Sequence, residues 1–229
     1  MCTVTYIYQG NNNFILTSNR DEHVQRPEAL PPKVYDAAQN LIYPKDPQGK
    51  GTWIACSDKF TVCLLNGAFQ PHVSKPPYRK SRGLIVLDVF NHNDVQIFAE
   101  KSDLTGIEPF TLILIENQTD EFIELRWDGT NKHISPLSKK KNRIWSSATL
   151  YDTVQQYVRK RFFDNFFKEH PPSPQNILKF HQTKEINGGE GIFIQRKNIQ
   201  TVSITQVEVQ NNRPVFKYYP SLTTSIESL

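Results

Sequence analysis

A cysteine directly after the initiator methionine, and an Arg20-Asp21-Glu22 run that closes an apolar stretch, are the residues whose types and placement could do chemistry in this chain. Aminopeptidases remove an initiator Met when the next side chain is as small as Cys. The mature chain is therefore expected to start at Cys2, with thiol and α-amine on one residue. An α-amine with a pKa of about 7.7–8.0 is partly neutral at pH 7, so it can take the thiol proton directly or through a water. A guanidinium such as Arg20 lowers the pKa of a nearby thiol, and a carboxylate such as Asp21 orients the amine by hydrogen bonding. Nucleophile, base and electrostatic partner are three parts of an amidase.

These groups act together only if the fold joins them, and a local element can do so. Thr3 to Tyr8 and Phe14 to Ser18 are rich in β-branched and aromatic residues, and "QGNNN" between them is turn chemistry, so a hairpin is predicted. With a Gly10-Asn11-Asn12 loop, Tyr8 pairs with Phe14, Tyr6 with Leu16 and Val4 with Ser18, and Cys2 falls opposite Arg20. With an Asn11-Asn12 loop, Cys2 falls opposite Asp21. Either register makes Cys2 a cross-strand neighbour of the Arg-Asp pair.

Further along, "GTWIACS" and "FTVCLLN" read as a second hairpin turning at Asp58-Lys59, with Cys56 and Cys63 as small core residues. The prolines of "FQPHVSKPPYRKS" forbid a long helix. "GLIVLDVF" is so continuously apolar that periodicity alone does not separate helix from strand; a helix is expected. "FTLILIEN", "EFIELRWDG", "KHISPL" and "NRIWSS" read as four more strands, with "KKKNR" at Lys139 to Arg143 a solvated turn between them. Asp152 to Glu169 reads as an amphipathic helix with Val154, Tyr157, Val158, Phe162, Phe166 and Phe167 on its core face. Pro171-Pro172 ends it, and a second helix runs from Pro174 to His181. Ile192–Arg196, Ile199–Val209 and Val215–Tyr219 are predicted closing strands, and Ser221 to Leu229 a frayed tail.

Composition limits the function classes. The 229 residues are 38% hydrophobic, enough for a core, and no linker or repeat divides residues 1–229, so one domain is expected. The net charge of +4 comes from Lys and Arg interleaved with Asp and Glu, which predicts solubility and no nucleic-acid partner. The longest apolar runs, such as "LILI", are too short for a transmembrane segment, and the start lacks the pattern of a signal peptide. Three cysteines without a Cys-x-x-Cys pair point to a reduced, cytoplasmic setting. "GKGT" precedes a strand instead of a helix, "NGGEG" lacks dinucleotide-loop spacing, and the six histidines never take metal-ligand spacing, so neither cofactor nor metal is expected.

The Met-Cys start, "SNRDE" at Ser18 to Glu22, "GTWIA" at Gly51 to Ala55, "LLNGAF" at Leu64 to Phe69 and "SRG" at Ser81 to Gly83 resemble the NRDE family, also called the transport and Golgi organisation family. That family is similar to N-terminal-nucleophile hydrolases, nearest to the choloylglycine hydrolase and penicillin V acylase branch. The resemblance implies an α+β fold, a four-layer αββα sandwich of two antiparallel sheets; pattern alone supports mixed α and β. It implies Cys2 as nucleophile and base, Arg20 as electrostatic partner and Asp21 as holder of the amine. Asn66 becomes a candidate oxyanion donor, beside its plainer reading as a turn residue before Gly67. Related sequences often carry Asn in the segment that here reads Ser146-Ser147-Ala148, and a C-terminal Arg for which Arg196 is the candidate. The activity implied is hydrolysis of an amide bond in a small-molecule substrate. The resemblance also implies an alternative, a non-catalytic binding or carrier protein for an apolar ligand such as a lipid or haem.

Overall fold

A computed structural model describes residues 3–220 and 227–228. In chain order the first half holds β1 (Thr3–Gly10), β2 (Asn13–His23), β3 (Leu30–Asp36), β4 (Leu41–Lys45), β5 (Ile54–Cys56), β6 (Phe60–Asn66), α1 (Arg82–Asp88) and α2 (Val95–Lys101). Then follow β7 (Phe110–Glu116), β8 (Phe122–Trp127), β9 (Lys132–Pro136), β10 (Arg143–Ser146), α3 (Thr153–Glu169) and α4 (Pro174–His181). The chain closes with β11 (Glu185–Ile186), β12 (Gly189–Glu190), β13 (Ile199–Gln210), β14 (Arg213–Pro220) and β15 (Glu227–Ser228).

Local chemistry explains the connections. The β1–β2 and β13–β14 hairpins both turn on Asn-Asn pairs with left-handed backbone, Asn11 and Asn12 at φ 50° and 60° and Asn211 and Asn212 at φ 50° and 63°. Asn tolerates that region, and such turns match the strand twist. Asp152 caps α3 in a reciprocal box with Gln155, and Ser173 caps α4 with Pro174 in its first turn.

One antiparallel sheet has the order β10-β1-β2-β13-β14-β15 and the other β3-β4-β5-β6-β7-β8-β9. Side-chain alternation along each strand sorts residues into three apolar layers. Between the sheets Val4, Tyr6, Phe14 and Leu16 meet Ile54, Cys56, Cys63, Leu65 and Ile113. On the far face of the second sheet, Val62, Leu64, Leu112 and Leu114 pack under Val86 and Phe98 of the first two helices. On the far face of the first, Ile7 and Ile15 pack under Phe163, Phe166, Ile177 and Phe180. The result is the αββα sandwich. Strands buried on both faces explain runs such as "LILI", which show no alternation.

Several expectations need correction. The core face of α3 is Arg159, Phe163 and Phe166, whereas Val154 and Tyr157 are 69% and 62% exposed and Val158 is also exposed. Apolar spacing in the first turns does not mark the buried stripe. Ile192 to Arg196 is no strand; Ile192 and Ile194 are buried and a lone bridge joins Gln195 to Gln200. Lys139, expected in a solvated turn, is buried, its ammonium donating to the carbonyls of Glu116 and Thr119 and its pKa pulled down to about 8 by burial. Within the expected frayed tail, Glu227 and Ser228 pair with Tyr218 and Lys217. The strands β3 and β4 and the helix α2 had no strong periodic signal. No helix among the described residues is long and apolar enough to cross a membrane.

Candidate functional site

The hairpin takes the first of the two predicted registers: Tyr8 faces Phe14, Tyr6 faces Leu16, Val4 faces Ser18 and Thr3 faces Asn19. Cys2 lies outside the described residues. The pleat of β2 sends successive side chains to opposite faces, so the motif divides its labour. Arg20 enters the space between the sheets, while Asn19 and Asp21 point toward the helix layer.

Arg20 is buried, its Nη2 2.8 Å from Asp46 Oδ2 and its guanidinium stacked 4.7 Å from the centre of the Trp53 ring. Arg26 reaches the same carboxylate oxygen at 2.8 Å, and the other Asp46 oxygen accepts from the backbone of Gln48 and Gly49. Burial alone raises the Asp46 pKa. The Arg26 hydrogen bond, the Gly49 N–H and the charges of Arg26 and Arg20 outweigh it, holding the carboxyl below its ordinary range. A cavity of about 200 Å³ opens over these groups, lined by Arg20, Arg26, Asp46, Trp53, Asn66 and Arg82 among others. Its wall depends on two glycines. Thr52 N donates to Gly83 O at 3.0 Å, and a Cβ on Gly51 would stand 2.1 Å from the Gly83 carbonyl carbon. That contact is why "GTW" and "SRG" need glycine.

Asn66 lines this cavity at the end of β6, so the fold brings it together with Arg20. Its carbonyl accepts from the Ser147 hydroxyl at 2.8 Å, which ties the "SSA" segment to Asn66 by a hydroxyl that is already engaged. Gly67 follows at φ +80°, as the turn reading of the position requires.

Asp21 lies on the other face of β2. Its Oδ1 accepts from the Thr201 hydroxyl, whose oxygen in turn accepts from Ile194 N at 2.9 Å. Arg196 does not line the Arg20 cavity. It pairs with Glu190 at 2.6 Å and its guanidinium lies 5.7 Å from the Tyr151 ring centre. Arg196 and Asp21 are linked through the Ile194–Thr201 segment.

Two groups outside the predicted set complete the surroundings of the β1 start. Asn19 Nδ2 donates to the carbonyls of His181 and Ile192, at 3.1 and 3.0 Å. Arg159, buried on α3, donates to Thr3 Oγ1, to Gly191 O at 2.6 Å and to Ser146 Oγ at 3.3 Å, and stacks 4.0 Å from the Tyr151 ring centre. Asp46, Arg159 and His181 have no local signal. Asn19, Trp53 and Arg82 could have been found, inside the "SNRDE", "GTWIA" and "SRG" motifs. Among the described residues no three His, Cys, Asp or Glu side chains gather as a metal site.

The same fold recurs in solved structures. Penicillin V acylase from Agrobacterium tumefaciens superposes with a TM-score of 0.59 at 10% identity, over 100% of this chain and 86% of that one. A variant of conjugated bile acid hydrolase from Clostridium perfringens gives 0.57 at 8%, over 100% and 92%. The Caenorhabditis elegans ortholog of N-acylethanolamine-hydrolyzing acid amidase gives 0.54 at 11%, over 90% and 92%. Among curated protein sequences none matches. At these identities the likeness is one of fold, whereas the sequence itself matches the family model described as Transport and Golgi organisation 2 over residues 1–213. The glycine contact behind "GTW" and "SRG" and the two-faced "NRD" segment are therefore features of a chain that belongs to the Transport and Golgi organisation 2 family.

Proposed function

We propose that the chain is an N-terminal-nucleophile hydrolase of the NRDE type, acting on a non-peptide amide bond of a small molecule. The observation that carries this reading is the register that pairs Thr3 with Asn19, which brings the described start of β1 to the residue next to Arg20. Support also comes from the shared fold, since the superposed proteins are named acylase, hydrolase and acid amidase.

In this reading the α-amine of Cys2 takes the thiol proton and the thiolate attacks the amide carbonyl carbon. Arg20 favours the thiolate, Asp21 holds the amine, and the Asn66 side chain donates to the oxyanion. The C–N bond breaks as the α-ammonium returns its proton to the leaving amine, and the acyl group stays on sulfur as a thioester. Water then attacks, its proton passing to the α-amine, and thiol and carboxylic acid are released. Arg196 is assigned the C-terminal arginine role, acting from the Tyr151 side.

The ionic lining of the Arg20 cavity favours this enzyme over a carrier of lipid or haem, which needs an apolar lining. The test is intact mass followed by alkylation with iodoacetamide at pH 7. Burial pushes the Cys63 thiol up to about 12 and the Cys56 thiol higher still, so native labelling is expected at Cys2 alone and absent in Cys2→Ser. Met1 retained in most molecules, or a Cys2 no more reactive than free cysteine, would sink the reading.

A further inference from the structure

We propose that the outer edge of β10 is a docking site for an extended, acidic segment of a partner protein, which adds to the first sheet as a further strand.

Among the described residues the two large sheets end in four strand edges, and three of them carry the protections that keep edges from pairing with other chains. β3 holds Pro31 and Pro32 and shifts register twice against β4. β9 ends on Pro136 and carries Lys132 and His133. β15 is short, Glu227–Ser228. β10 differs. Its residues, Arg143 to Ser146, pair with Tyr6 to Thr3 without a shift and include no proline. In an antiparallel ladder alternate N–H and C=O groups of an edge strand point away from its neighbour. Among the described residues no main-chain hydrogen bond outside the β1 ladder engages residues 143–146.

Space for a side chain lies beside this edge. A cavity of about 250 Å³ opens next to β10, lined by Ile144 and Trp145 of the strand, Ala68, Arg126 of β8 and Tyr157 of α3 among others. An apolar cavity of about 150 Å³ admits a benzene ring, so this one has room for one large apolar side chain. Tyr157 is exposed, with Val154 and Val158 exposed beside it on α3. Phe69 is exposed as well, its ring centre 5.0 Å from the Arg126 guanidinium. Apolar surface of this kind around a cavity is what an incoming residue covers.

Charge selects the partner. Lys140, Lys141 and Arg143, in the "KKKNR" run that leads into β10, form no ion pair among the described residues, and Arg143 Nε is a buried donor without an acceptor. The acids around them are engaged. Glu124 accepts from Arg126 and from Trp145 Nε1, and Asp164 pairs with Lys160. The charges of Asp120 and Glu121 act on the buried Lys139, and those of Asp120 and Arg143 on Tyr6, without an ion pair to the edge cations. Three cations at one edge repel a second copy of the same edge, since a two-fold pairing brings like charges together. They attract a strand that carries carboxylates, and main-chain hydrogen bonds supply the rest of the affinity. An anionic membrane or a nucleic acid would meet the cations and leave the free main-chain groups of β10 unused.

The probe is a capped peptide that alternates glutamate with valine around a central phenylalanine, labelled with fluorescein and titrated into the full chain while anisotropy is read. Saturable binding is expected below about 1 mM, with slowed amide exchange at residues 143–146. Two versions methylated on alternate backbone nitrogens separate strand pairing from charge attraction. One is expected to lose binding and the other to keep it within about twofold, because only every second N–H of an added strand faces β10. Lys141→Glu combined with Arg143→Glu is expected to weaken binding about tenfold and Tyr157→Ala about threefold, each variant checked for folding by circular dichroism. Should the charge reversal fail to fold, Lys140→Gln combined with Lys141→Gln, both at exposed positions, carries the test with an expected loss of about threefold. No binding of the unmethylated peptide at about 1 mM overturns the proposal. Equal behaviour of the two methylated peptides overturns it too, since charge attraction alone would then be at work. So does binding that the charge changes leave unmoved.

Discussion

Asn19 and His181 hold each other by two hydrogen bonds: His181 Nδ1 donates to Asn19 Oδ1 at 2.6 Å, and Asn19 Nδ2 donates to the His181 carbonyl at 3.1 Å. The orientation follows from the partners. The Asn19 nitrogen faces two carbonyl oxygens, so its oxygen faces the ring, Nδ1 carries the proton and Nε2 accepts from Thr5 Oγ1 at 2.7 Å. The pair locks the end of α4 onto β1 and β2 one residue before Arg20. Asn19 thus serves the site without lining its cavity.

Asn19→Ala strands the His181 N–H and two buried carbonyls. A loss of about 2–4 kcal/mol in urea denaturation is expected, against about 1 kcal/mol or less for an exposed polar residue.

The same histidine makes stability depend on pH. Its folded pKa is held down to about 3 by burial and by Arg159, while an unfolded histidine titrates near 6.5. Between those values the unfolded chain takes up a proton that the folded chain refuses. Stability is therefore full above pH 6.5 and falls as pH drops toward 3. By pH 5 the loss reaches about 2 kcal/mol. Denaturation at pH 7 and pH 5 should show it in wild type, and His181→Gln should lose most of the difference.

Gly51→Ala drives a Cβ to 2.1 Å from the Gly83 backbone, where no flexible side chain can yield. A loss of about 3 kcal/mol or more is expected, by separating the Thr52 strand entry from the first turn of α1. Ala at Gly83, whose nearest contact is Thr52 O at 2.9 Å, should cost less. Thermal melts of the two variants check the order.

Asp46→Asn leaves Arg20 buried with Glu22 at 3.8 Å as its remaining carboxylate. About 3 kcal/mol is expected to be lost, because breaking one side of a buried pair strands the other charge. The double variant Arg20→Met with Asp46→Asn should be less destabilised than the sum of the singles, which a denaturation cycle would measure.

The sequence by itself determined what is local. Two Asn-Asn turns, the caps of α3 and α4, and the alternation through Tyr6 and Leu16 are each written within a few residues, because turn and cap energies depend on immediate neighbours. That is why the hairpin joining the chain start to Arg20 and Asp21 could be read, to within one residue of register. Tertiary structure alone decided the rest. Only the pairing of β13 with β2 delivers Thr201 to Asp21, and only the stacking of two sheets delivers Asp46 and Trp53 to Arg20. The spacing on α3 misled for the same reason. A helix has no face until something covers it, and what covers this one selects Arg159 and Phe163 and leaves Val154 and Tyr157 in water. Contacts between segments far apart in the chain are set by how layers pack as a whole. No window of sequence carries that information.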